Sequence, residues 1–330
     1  MVGELSADSR LDSSSECEWF GDLTYRSSNG VEKRSPGIAV DVMNFGESVT
    51  EPVGGGSQGT IYKQGKFAVK VLRRPHGAKL LENFRREAHI LARLDLPSAC
   101  RLRAVGVALG SPCIVLDWVE SDLAREMANR WPNAARLRIA ADLASALEHL
   151  HAGRAIGDGL AIIHRDVKPG NLGITASGQL KLLDFGNAAV VPRTSGKAWQ
   201  LTGGAGSARY MAPEVALRAF RYGVEVDVYS FALTVWEFLG LKGVPFPNFT
   251  YADHIAYVAR DGRRPKIPKS WHPRLAALVQ ASWAPQPAAR PTAAALTKSL
   301  KDLIEDPNVG DPLLTPSYFP PWRRRRRPSK

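Results

Sequence analysis

Cysteine is scarce in this chain of 330 residues, and the three present, Cys17, Cys100 and Cys113, are far apart in sequence. A small, odd and scattered set argues against a disulfide framework and against a cysteine-based zinc site. We therefore expect the protein to work in a reducing compartment.

Long apolar runs are also lacking. The most apolar stretch, Val228 to Leu241, is interrupted by Glu237 and is too short to span a bilayer. The first residues, Met1 to Arg10, are polar and partly acidic, unlike a secretory signal. We expect an intracellular, cytoplasmic protein with no membrane span.

Acidic residues are absent after Asp311, where the chain becomes rich in proline and arginine. Arg323–Arg327 and Lys330 supply half of the net charge of +12, and the rest of the chain is only mildly basic. A run of arginines is typical of a solvated tail or a targeting signal, and it is compatible with nuclear import. Binding of nucleic acid, acidic lipid or an import receptor through this tail is an alternative function. We expect at most weak contact with nucleic acid.

The most informative stretch surrounds a predicted hairpin. Two short apolar strands flank Thr175–Gly178, a tetrapeptide rich in turn-forming residues. Because the two ends of a hairpin meet, Asp166 and Asn171 should lie near Asp184. Oxygen ligands of this kind suit Mg²⁺, with phosphate completing its coordination shell.

A glycine pattern lies nearer the N-terminus. Gly54–Gly59 fits G-x-G-x-x-G, and two strands joined by a Gln64-Gly65 turn follow it, through Leu72. A dinucleotide-binding fold would need a helix after the glycines, so we predict a hairpin tip instead. Such a tip can place its backbone N–H groups over phosphates without side-chain clashes.

A buried carboxylate is predicted in the next helix. Residues from Lys79 to Leu96 have apolar side chains at a helical period, and Glu87 lies on the apolar stripe. A carboxylate in that position needs a cation, and we favour Lys70. The alternative is local pairing with Arg85 or Arg86.

The segment His164-Arg165-Asp166-Val167-Lys168-Pro169-Gly170-Asn171 resembles the catalytic loop of eukaryotic protein kinases, and Asp184-Phe185-Gly186 resembles their metal-binding motif. The resemblance extends over about residues 47–303. Residues 202–229 are most similar to the tyrosine-kinase-like, Raf-like group of Ser/Thr kinases.

This resemblance implies an α+β, bilobal protein kinase fold over residues 47–304. A small β-rich N-lobe with one long helix (about 47–118) would precede a larger helical C-lobe (about 119–304). We predict that residues 1–46 are a mostly disordered extension, in which Trp19-Phe20 or residues 38–45 could dock onto the domain. Residues 305–330 would form a Pro/Arg-rich tail.

The resemblance also implies the chemistry: an ATP- and Mg²⁺-dependent kinase that phosphorylates Ser and Thr of protein substrates. Asp166 would act as base, Lys168 would offset phosphoryl charge, and Asn171 and Asp184 would bind Mg²⁺. Lys70 would hold the phosphates. The implied nucleotide-binding positions are Gly54, Gly55, Gly56, Ser57, Gln58, Gly59, Ile61, Ala68, Lys70, Glu87, Leu116, Asp117 and Val119. A catalytically inert, nucleotide-binding scaffold is the alternative.

Structural pairs are implied as well. Arg290 would pair with Glu214, and Asp227 would anchor the backbone of the catalytic loop. Residues 226–239 form a segment that is apolar almost all round, which predicts a buried helix. Ser207 would lie beside Lys168, as in Ser/Thr kinases.

Two positions depart from the family pattern. Ala232 replaces a common glycine in the predicted buried helix, a small change that we expect to be tolerated. Gly173 stands where many kinases have a leucine beneath the adenine, so we expect a shallower surface there and weaker ATP binding.

Regulation by phosphorylation is a further hypothesis. Arg165 could clamp a phosphate on Thr202, Thr194 or Ser195, placed there by an upstream kinase or by autophosphorylation. The alternative is that these hydroxyls merely belong to a polar loop.

Overall fold

The computed structural model describes residues 24–26, 39–46, 49, 51–56, 58–75, 77–127, 131–156, 159–193, 198–201, 203–219, 221–241, 243–307, 309 and 311–313. The chain forms two compact units. The first contains Met1–Leu94 and Cys100–Trp118, and the second contains Asp95–Ala99 and Val119–Lys330.

The first unit is a sheet with one long helix, α1 (Ala78–Arg93). Its strands are β1 (Thr24–Arg26), β2 (Ala39–Gly46), β3 (Pro52–Gly55), β4 (Gly59–Gln64), β5 (Phe67–Leu72), β6 (Leu102–Ala108) and β7 (Ser111–Asp117). They are ordered β1-β2-β6-β7-β5-β4-β3. The helix and the hairpin of β4 and β5 confirm the elements predicted around the glycine pattern.

Strand β2 lies in the N-terminal extension, where the sequence favoured disorder with docking of residues 38–45 as one alternative. The structure has Ala39–Gly46 paired with β6, in agreement with docking. Trp19-Phe20, the other docking candidate, lies outside the described residues. The predicted domain limits at 46/47 and 304/305 stay predictions.

The second unit is mainly helical. Its helices are α2 (Leu123–Glu126), α3 (Asn133–His151), α4 (Pro213–Ala216), α5 (Glu225–Gly240), α6 (Tyr251–Asp253, continued by a π-helical turn over His254–Arg260), α7 (Pro273–Ser282) and α8 (Ala293–Glu305). Its strands are β8 (Ser121–Asp122), β9 (Leu160–Ile163), β10 (Leu172–Ile174), β11 (Leu180–Leu182), β12 (Ala189–Pro192), β13 (Trp199–Gln200) and β14 (Arg221–Tyr222). They form three small sheets, β11-β10-β8, β12-β9 and β13-β14.

Helix α5 is buried along almost its whole length. Every residue from Val226 to Leu239 is buried, as expected for a helix without a polar face. A bidentate ion pair adds to the packing near its start: Arg290 Nη1 and Nη2 donate to Glu214 Oε1 and Oε2 at 2.7 and 2.9 Å. The pairing of Arg290 with Glu214 predicted from the sequence is confirmed.

The expectations about disulfides and about membrane spans can be compared with the residues that the structure describes. Cys100 and Cys113, the two cysteines in the described part of the chain, are buried free thiols. Among the helices that the structure describes, none is both long and apolar enough to cross a bilayer. The α+β fold class, with a β-rich N-terminal part and a helical C-terminal part, is confirmed.

Candidate active site

The loop that follows β9 is anchored by one buried carboxylate. Asp227, in the first turn of α5, accepts hydrogen bonds at 2.8 Å from the backbone N–H groups of His164 and Arg165. His151 Nε2 donates to the same carboxylate at 2.9 Å. Burial alone would raise the pKa of Asp227, but the His151 hydrogen bond, the proximity of the His164 imidazole and the Arg165 N–H lower it. The predicted anchoring role of Asp227 is confirmed.

Asp166, which the loop presents, is 5% exposed and is held by three groups. Its Oδ2 accepts from Lys168 Nζ at 2.8 Å and from Asn171 Nδ2 at 3.0 Å. Its Oδ1 accepts from the backbone N–H of Ser207 at 2.8 Å. Lys168 Nζ also donates to Ser207 Oγ at 2.6 Å, so the predicted contact between Lys168 and Ser207 is present. The four polar residues therefore form one network.

The hairpin brings the second motif to this loop. Leu172 and Leu182 face each other across the antiparallel pair β10 and β11. The backbone N–H of Leu183 donates to the carbonyl of Asn171 at 2.9 Å, and His164 Nε2 donates to the carbonyl of Leu183 at 3.0 Å. Asp184 follows directly, so its backbone adjoins the catalytic loop as the sequence predicts.

Asp184 has an unusual backbone conformation. Its φ of 58° places it in the left-handed region, which non-glycine residues seldom adopt. Such strain persists only where the surrounding structure enforces it, and it is concentrated at functional sites. Here the contacts of the two neighbouring residues hold the backbone on both sides: Leu183 through its hydrogen bonds, and Phe185 through its ring, which lies edge-on to His164.

The donor set of Asn171 and Asp184 fits Mg²⁺. Both hydrogens of the Asn171 amide go to oxygens of Asp166, at 2.8 and 3.0 Å, so the amide oxygen is the atom available to a cation. Among the described residues, no group of three or more His, Cys, Asp or Glu side chains is arranged to hold a metal. Mg²⁺ needs no such cage, because one or two side chains with phosphate and water complete its shell.

Gly206 allows the next segment to touch the catalytic loop, and sequence reasoning had missed it. A Cβ on Gly206 would lie 2.2 Å from the carbonyl oxygen of Arg165, and its φ is +98°. Three glycines within four residues, Gly203, Gly204 and Gly206, were the available signal. Only glycine permits this approach, which places the N–H of Ser207 on Asp166.

We expect Gly206→Ala to lower kcat of the phosphoryl transfer proposed below by about 10²-fold, because the added methyl group displaces Ser207 from Asp166. Gly178→Ala is the matched control, since Gly178 also has a positive φ, of 79°, but nothing lies within 4 Å of its Cβ position. Alanine is strained by the positive φ at both positions, but it clashes with another residue only at position 206. Steady-state kinetics of the two variants therefore distinguish the effect of the clash from that of the strain. Equal losses in the two variants would contradict this explanation.

The guanidinium of Arg165 is held by two residues shortly after Asp184 and by one residue of β14. Its Nε donates to the carbonyl of Asn187, its Nη2 contacts the carbonyl of Ala188 at 3.4 Å, and its Nη1 donates to the hydroxyl of Tyr222 at 3.1 Å. Thr194, Ser195 and Thr202, the three phosphorylation candidates, lie outside the described residues. The phosphate clamp therefore stays a prediction.

In the first unit, Lys70 and Glu87 form a buried ion pair. Lys70 Nζ lies 2.7 Å from Glu87 Oε2, and the two side chains are 8% and 1% exposed. The predicted pairing with Lys70 is confirmed, and Arg86 contacts Glu82 at 2.8 Å. Removing either partner of such a buried pair would leave an uncompensated buried charge.

The glycine pattern forms the predicted hairpin tip between β3 and β4. The backbone N–H of Gly56 donates to the carbonyl of Gly59 at 2.9 Å. A Cβ would meet backbone at 2.9 Å on Gly55 and at 2.6 Å on Gly59, whereas nothing lies within 4 Å of that position on Gly54 or Gly56. Two of the glycines thus serve the fold, and two leave open space beside the backbone. Gln58 is buried, and Ser57 lies outside the described residues.

The remaining predicted nucleotide positions of the first unit lie on adjacent strands. Ala68 of β5 pairs with Leu116 of β7, and Ile61 of β4 pairs with Lys70. The predicted nucleotide contact of Asp117 is through its backbone, and its carboxylate binds Arg103 at 2.6 and 2.9 Å, which raises the pKa of Arg103. The sequence had given no signal for this ion pair.

Val119, the last of these positions, belongs to the second unit and packs on Gly173. A Cβ on Gly173 would lie 2.9 Å from Cγ2 and 3.1 Å from Cβ of Val119. The sequence predicted a shallower surface at Gly173. In the structure the side chain of Val119 takes the space that a larger residue at 173 would need. Val119, which lies between β7 and β8, thus fills the position that a leucine at 173 would occupy.

His254 ties the π-helical turn to the segment that follows Ser207. Its Nε2 donates to the carbonyl of Met211 at 3.1 Å, and the side chain is buried. Burial lowers the pKa of His254 from its ordinary value of 6.5. The folded state therefore binds fewer protons than the unfolded state just below pH 6.5, and stability must fall as the pH decreases through that window.

We expect His254→Gln to flatten this pH dependence. Glutamine can donate to the same carbonyl but does not titrate, so the fall in unfolding free energy between pH 6.5 and the lower folded-state pKa should shrink. Urea unfolding of both proteins at a series of pH values measures it. Identical slopes would mean that His254 is not the group responsible.

Comparisons with known proteins agree with these motifs. A family model described as "Protein tyrosine and serine/threonine kinase" matches residues 48–300. The serine/threonine/tyrosine-protein kinase HT1 of Arabidopsis thaliana is 30% identical over 263 residues, which cover 77% of this chain and 64% of the relative. The serine/threonine-protein kinase STY17 of the same plant is 29% identical over 274 residues, covering 80% and 45%. The dual specificity protein kinase shkA of Dictyostelium discoideum is 30% identical over 276 residues, covering 80% and 51%.

The chain spans about half to two thirds of the length of these relatives. Their names include enzymes that act on tyrosine as well as on serine and threonine. Members of the matched family transfer phosphoryl groups from ATP with the help of Mg²⁺. The match covers most of the residues, and it includes the catalytic loop and the metal-binding motif. The chain belongs to the protein tyrosine and serine/threonine kinase family, in the tyrosine-kinase-like group of eukaryotic-type protein kinases.

Proposed function

We propose that this protein transfers the terminal phosphoryl group of ATP to Ser and Thr hydroxyls of protein substrates. The observation that carries the proposal is the network in which Lys168, Asn171 and the N–H of Ser207 all donate to Asp166. It fixes a carboxylate, an ammonium and an amide within one hydrogen-bonded group. Phosphoryl transfer asks a protein for this kind of positioning and charge neutralisation.

Asp166 is the proposed base. Two donors occupy its Oδ2, whereas among the described residues Oδ1 accepts from Ser207 N–H alone. A carboxylate oxygen can accept two hydrogen bonds, so Oδ1 retains a lone pair for the substrate hydroxyl. Asp166 would orient this hydroxyl and take its proton at Oδ1 as the hydroxyl oxygen bonds to the terminal phosphorus of ATP and the bond from that phosphorus to the ADP oxygen breaks.

The other residues neutralise and orient negative charge. Mg²⁺, held by Asp184 and the amide oxygen of Asn171, would supply positive charge to the phosphates of ATP. Lys168 would offset charge on the group in transfer, and its hydrogen bond to Ser207 Oγ at 2.6 Å fixes where its ammonium lies. Lys70 would bind phosphate oxygens, and Glu87 would hold its ammonium in place.

The preference for Ser and Thr over Tyr rests on the same network. Lys168 is two residues after Asp166 and bridges it to Ser207, an arrangement that resembles that of Ser/Thr kinases. Peptide pairs that differ only in the acceptor residue, Ser or Tyr, test the preference. We expect phosphorylation of the Ser peptide, and equal kcat/KM on both peptides would reveal a dual-specificity enzyme, as the name of the relative shkA describes.

An ADP-release assay with Mg²⁺ tests the activity itself. Wild type should release ADP in the presence of a Ser-containing protein substrate, and Asp184→Asn should not, because it loses a charged metal ligand. If wild type and Asp184→Asn give the same background rate while wild type still binds ATP, the chain is an inert nucleotide-binding scaffold and the proposal fails.

The packing of Val119 on Gly173 gives a separate prediction. Gly173→Leu should lower the unfolding free energy by about 1–3 kcal/mol, because the new side chain has no space beside Val119. Combining it with Val119→Ala should recover most of that loss. Urea unfolding measures the stabilities, and the KM for ATP of both variants reports whether this surface contacts the nucleotide. If the double variant is no more stable than Gly173→Leu alone, a clash with Val119 is not the cause of the loss.

Phosphorylation of Thr194, Ser195 or Thr202 and a role for Arg323–Arg327 in nuclear import or weak nucleic-acid contact remain proposals. These residues lie outside the described part of the chain. Mass spectrometry of the active protein tests the first. Deletion of residues 323–330, followed by localisation and salt-dependent RNA binding, tests the second.

A further inference from the structure

Strand β2 extends the sheet of the first unit beyond β6. It runs parallel to β6, with Asp41 opposite Ala104 and Met43 opposite Gly106. The short strand β1 pairs with the outer side of β2. Without β2, the backbone groups of β6 would form an open sheet edge, which favours pairing with any extended segment that reaches it.

Gly106 is the residue that lets β2 approach. A Cβ built on Gly106 would lie 1.7 Å from the carbonyl oxygen of Met43 and 2.7 Å from its carbonyl carbon. No side chain can be accommodated at these distances, so any substitution must displace β2. Glycine weakens the interior of a strand, and close approach of another backbone is the usual reason for its presence there.

Apolar side chains attach the same segment to one face of the sheet. Phe45 is 8% exposed and Val49 is 2% exposed, and both belong to a cluster with Val69 and Val71 of β5. Val49 lies between β2 and β3 in the chain, and its buried side chain covers part of this face. The cluster is completed by Ala104, Ala108, Cys113 and Val115, with Met43, Tyr62 and Phe67 packed against it.

The opposite face carries the ion pair. Lys70 lies between Val69 and Val71, and neighbouring residues of a strand point to opposite faces. Lys70 accordingly pairs with Glu87 of α1, whereas its two neighbours belong to the cluster that includes Phe45 and Val49. The docked segment therefore supports, from behind, the strand that presents Lys70.

We propose that β2 (Ala39–Gly46), together with Val49, is an intramolecular docking strand whose acceptor is the β6 edge around Gly106. When docked, it holds β5 so that Lys70 stays paired with Glu87; when released, it weakens nucleotide binding. The partner is the chain's own segment because Val49, which lies between β2 and β3 in the sequence, is buried in the same cluster as Phe45 of β2. The statement about nucleotide binding rests on the proposed function, and the docking itself does not.

Hydrogen exchange of the full chain tests the docking. Amides of residues 39–46 should be protected in wild type, and Gly106→Ala and Phe45→Ala should each accelerate their exchange by about tenfold or more. Protection within α5 of the second unit should not change, which separates release of β2 from global unfolding. Gly77→Ala is the matched control, since nothing lies within 4 Å of a Cβ on Gly77.

Each other outcome would overturn part of the proposal. Unprotected amides at 39–46 in wild type, or unchanged protection in both variants, would exclude the docking strand. Protection that depends on protein concentration would show that a second copy supplies the strand. Release of the strand should raise the KM for ATP by about fivefold. If the strand is released and this KM does not rise, docking of β2 has no effect on nucleotide binding. An inactive wild type would overturn the proposed function and leave the exchange result valid.

Discussion

Replacing Asp166 with Asn is expected to lower kcat by about 10²- to 10⁴-fold, the usual contribution of a positioned general base. The amide retains an oxygen acceptor but cannot take a proton from the substrate hydroxyl. The KM for ATP should change little, because Asp166 is proposed to contact the hydroxyl and not the nucleotide. Steady-state kinetics at saturating ATP measure the effect.

Asp302→Asn is a suitable control for this variant. Asp302 also accepts from a lysine, Lys298, at 2.6 Å, but the two side chains are 46% and 78% exposed on α8. The same chemical change there should leave kcat unaltered, since an exposed pair is worth little. A wild-type kcat in Asp166→Asn would remove Asp166 from the mechanism.

The second large effect concerns the first unit. Lys70→Met should lower the unfolding free energy by about 3–5 kcal/mol, because it leaves the buried Glu87 carboxylate without its ammonium. Adding Glu87→Gln should restore part of this loss, since the remaining group no longer carries charge. Urea unfolding of the two single variants and the double variant gives the coupling energy.

The same helix provides a matched exposed pair. Arg86 lies 2.8 Å from Glu82, nearly the distance between Lys70 and Glu87, but the side chains are 35% and 69% exposed. Arg86→Met should therefore cost only about 0.3–0.5 kcal/mol. If Lys70→Met and Arg86→Met lower the unfolding free energy by the same amount, burial does not explain the contribution of the Lys70–Glu87 pair to stability.

The catalytic half of the site could be predicted because its geometry is local in sequence. A hairpin of known turn chemistry fixes where its two ends lie, so Asn171 and the residues around Asp184 had to be neighbours. The Lys70–Glu87 pair could also be predicted, since a charge on an apolar helical stripe needs a partner.

Other features could not be read from the sequence because they depend on contacts between distant segments. The approach of Gly206 to the carbonyl of Arg165 is one, since nothing in its own neighbourhood distinguishes it from a loop glycine. The filling of space above Gly173 by Val119 is another. The pairing of Ala39–Gly46 with β6 needed knowledge of which strand was the sheet edge, which local propensity does not give.

The position of β2 has a practical consequence for preparing the protein. The family model begins at residue 48, so a chain trimmed to that boundary would lack β2 and Phe45. It would expose unpaired backbone along β6 beside apolar side chains, a surface on which molecules associate edge to edge. Poor yield or aggregation of such a trimmed protein would reflect the lost strand and say nothing against its catalytic residues.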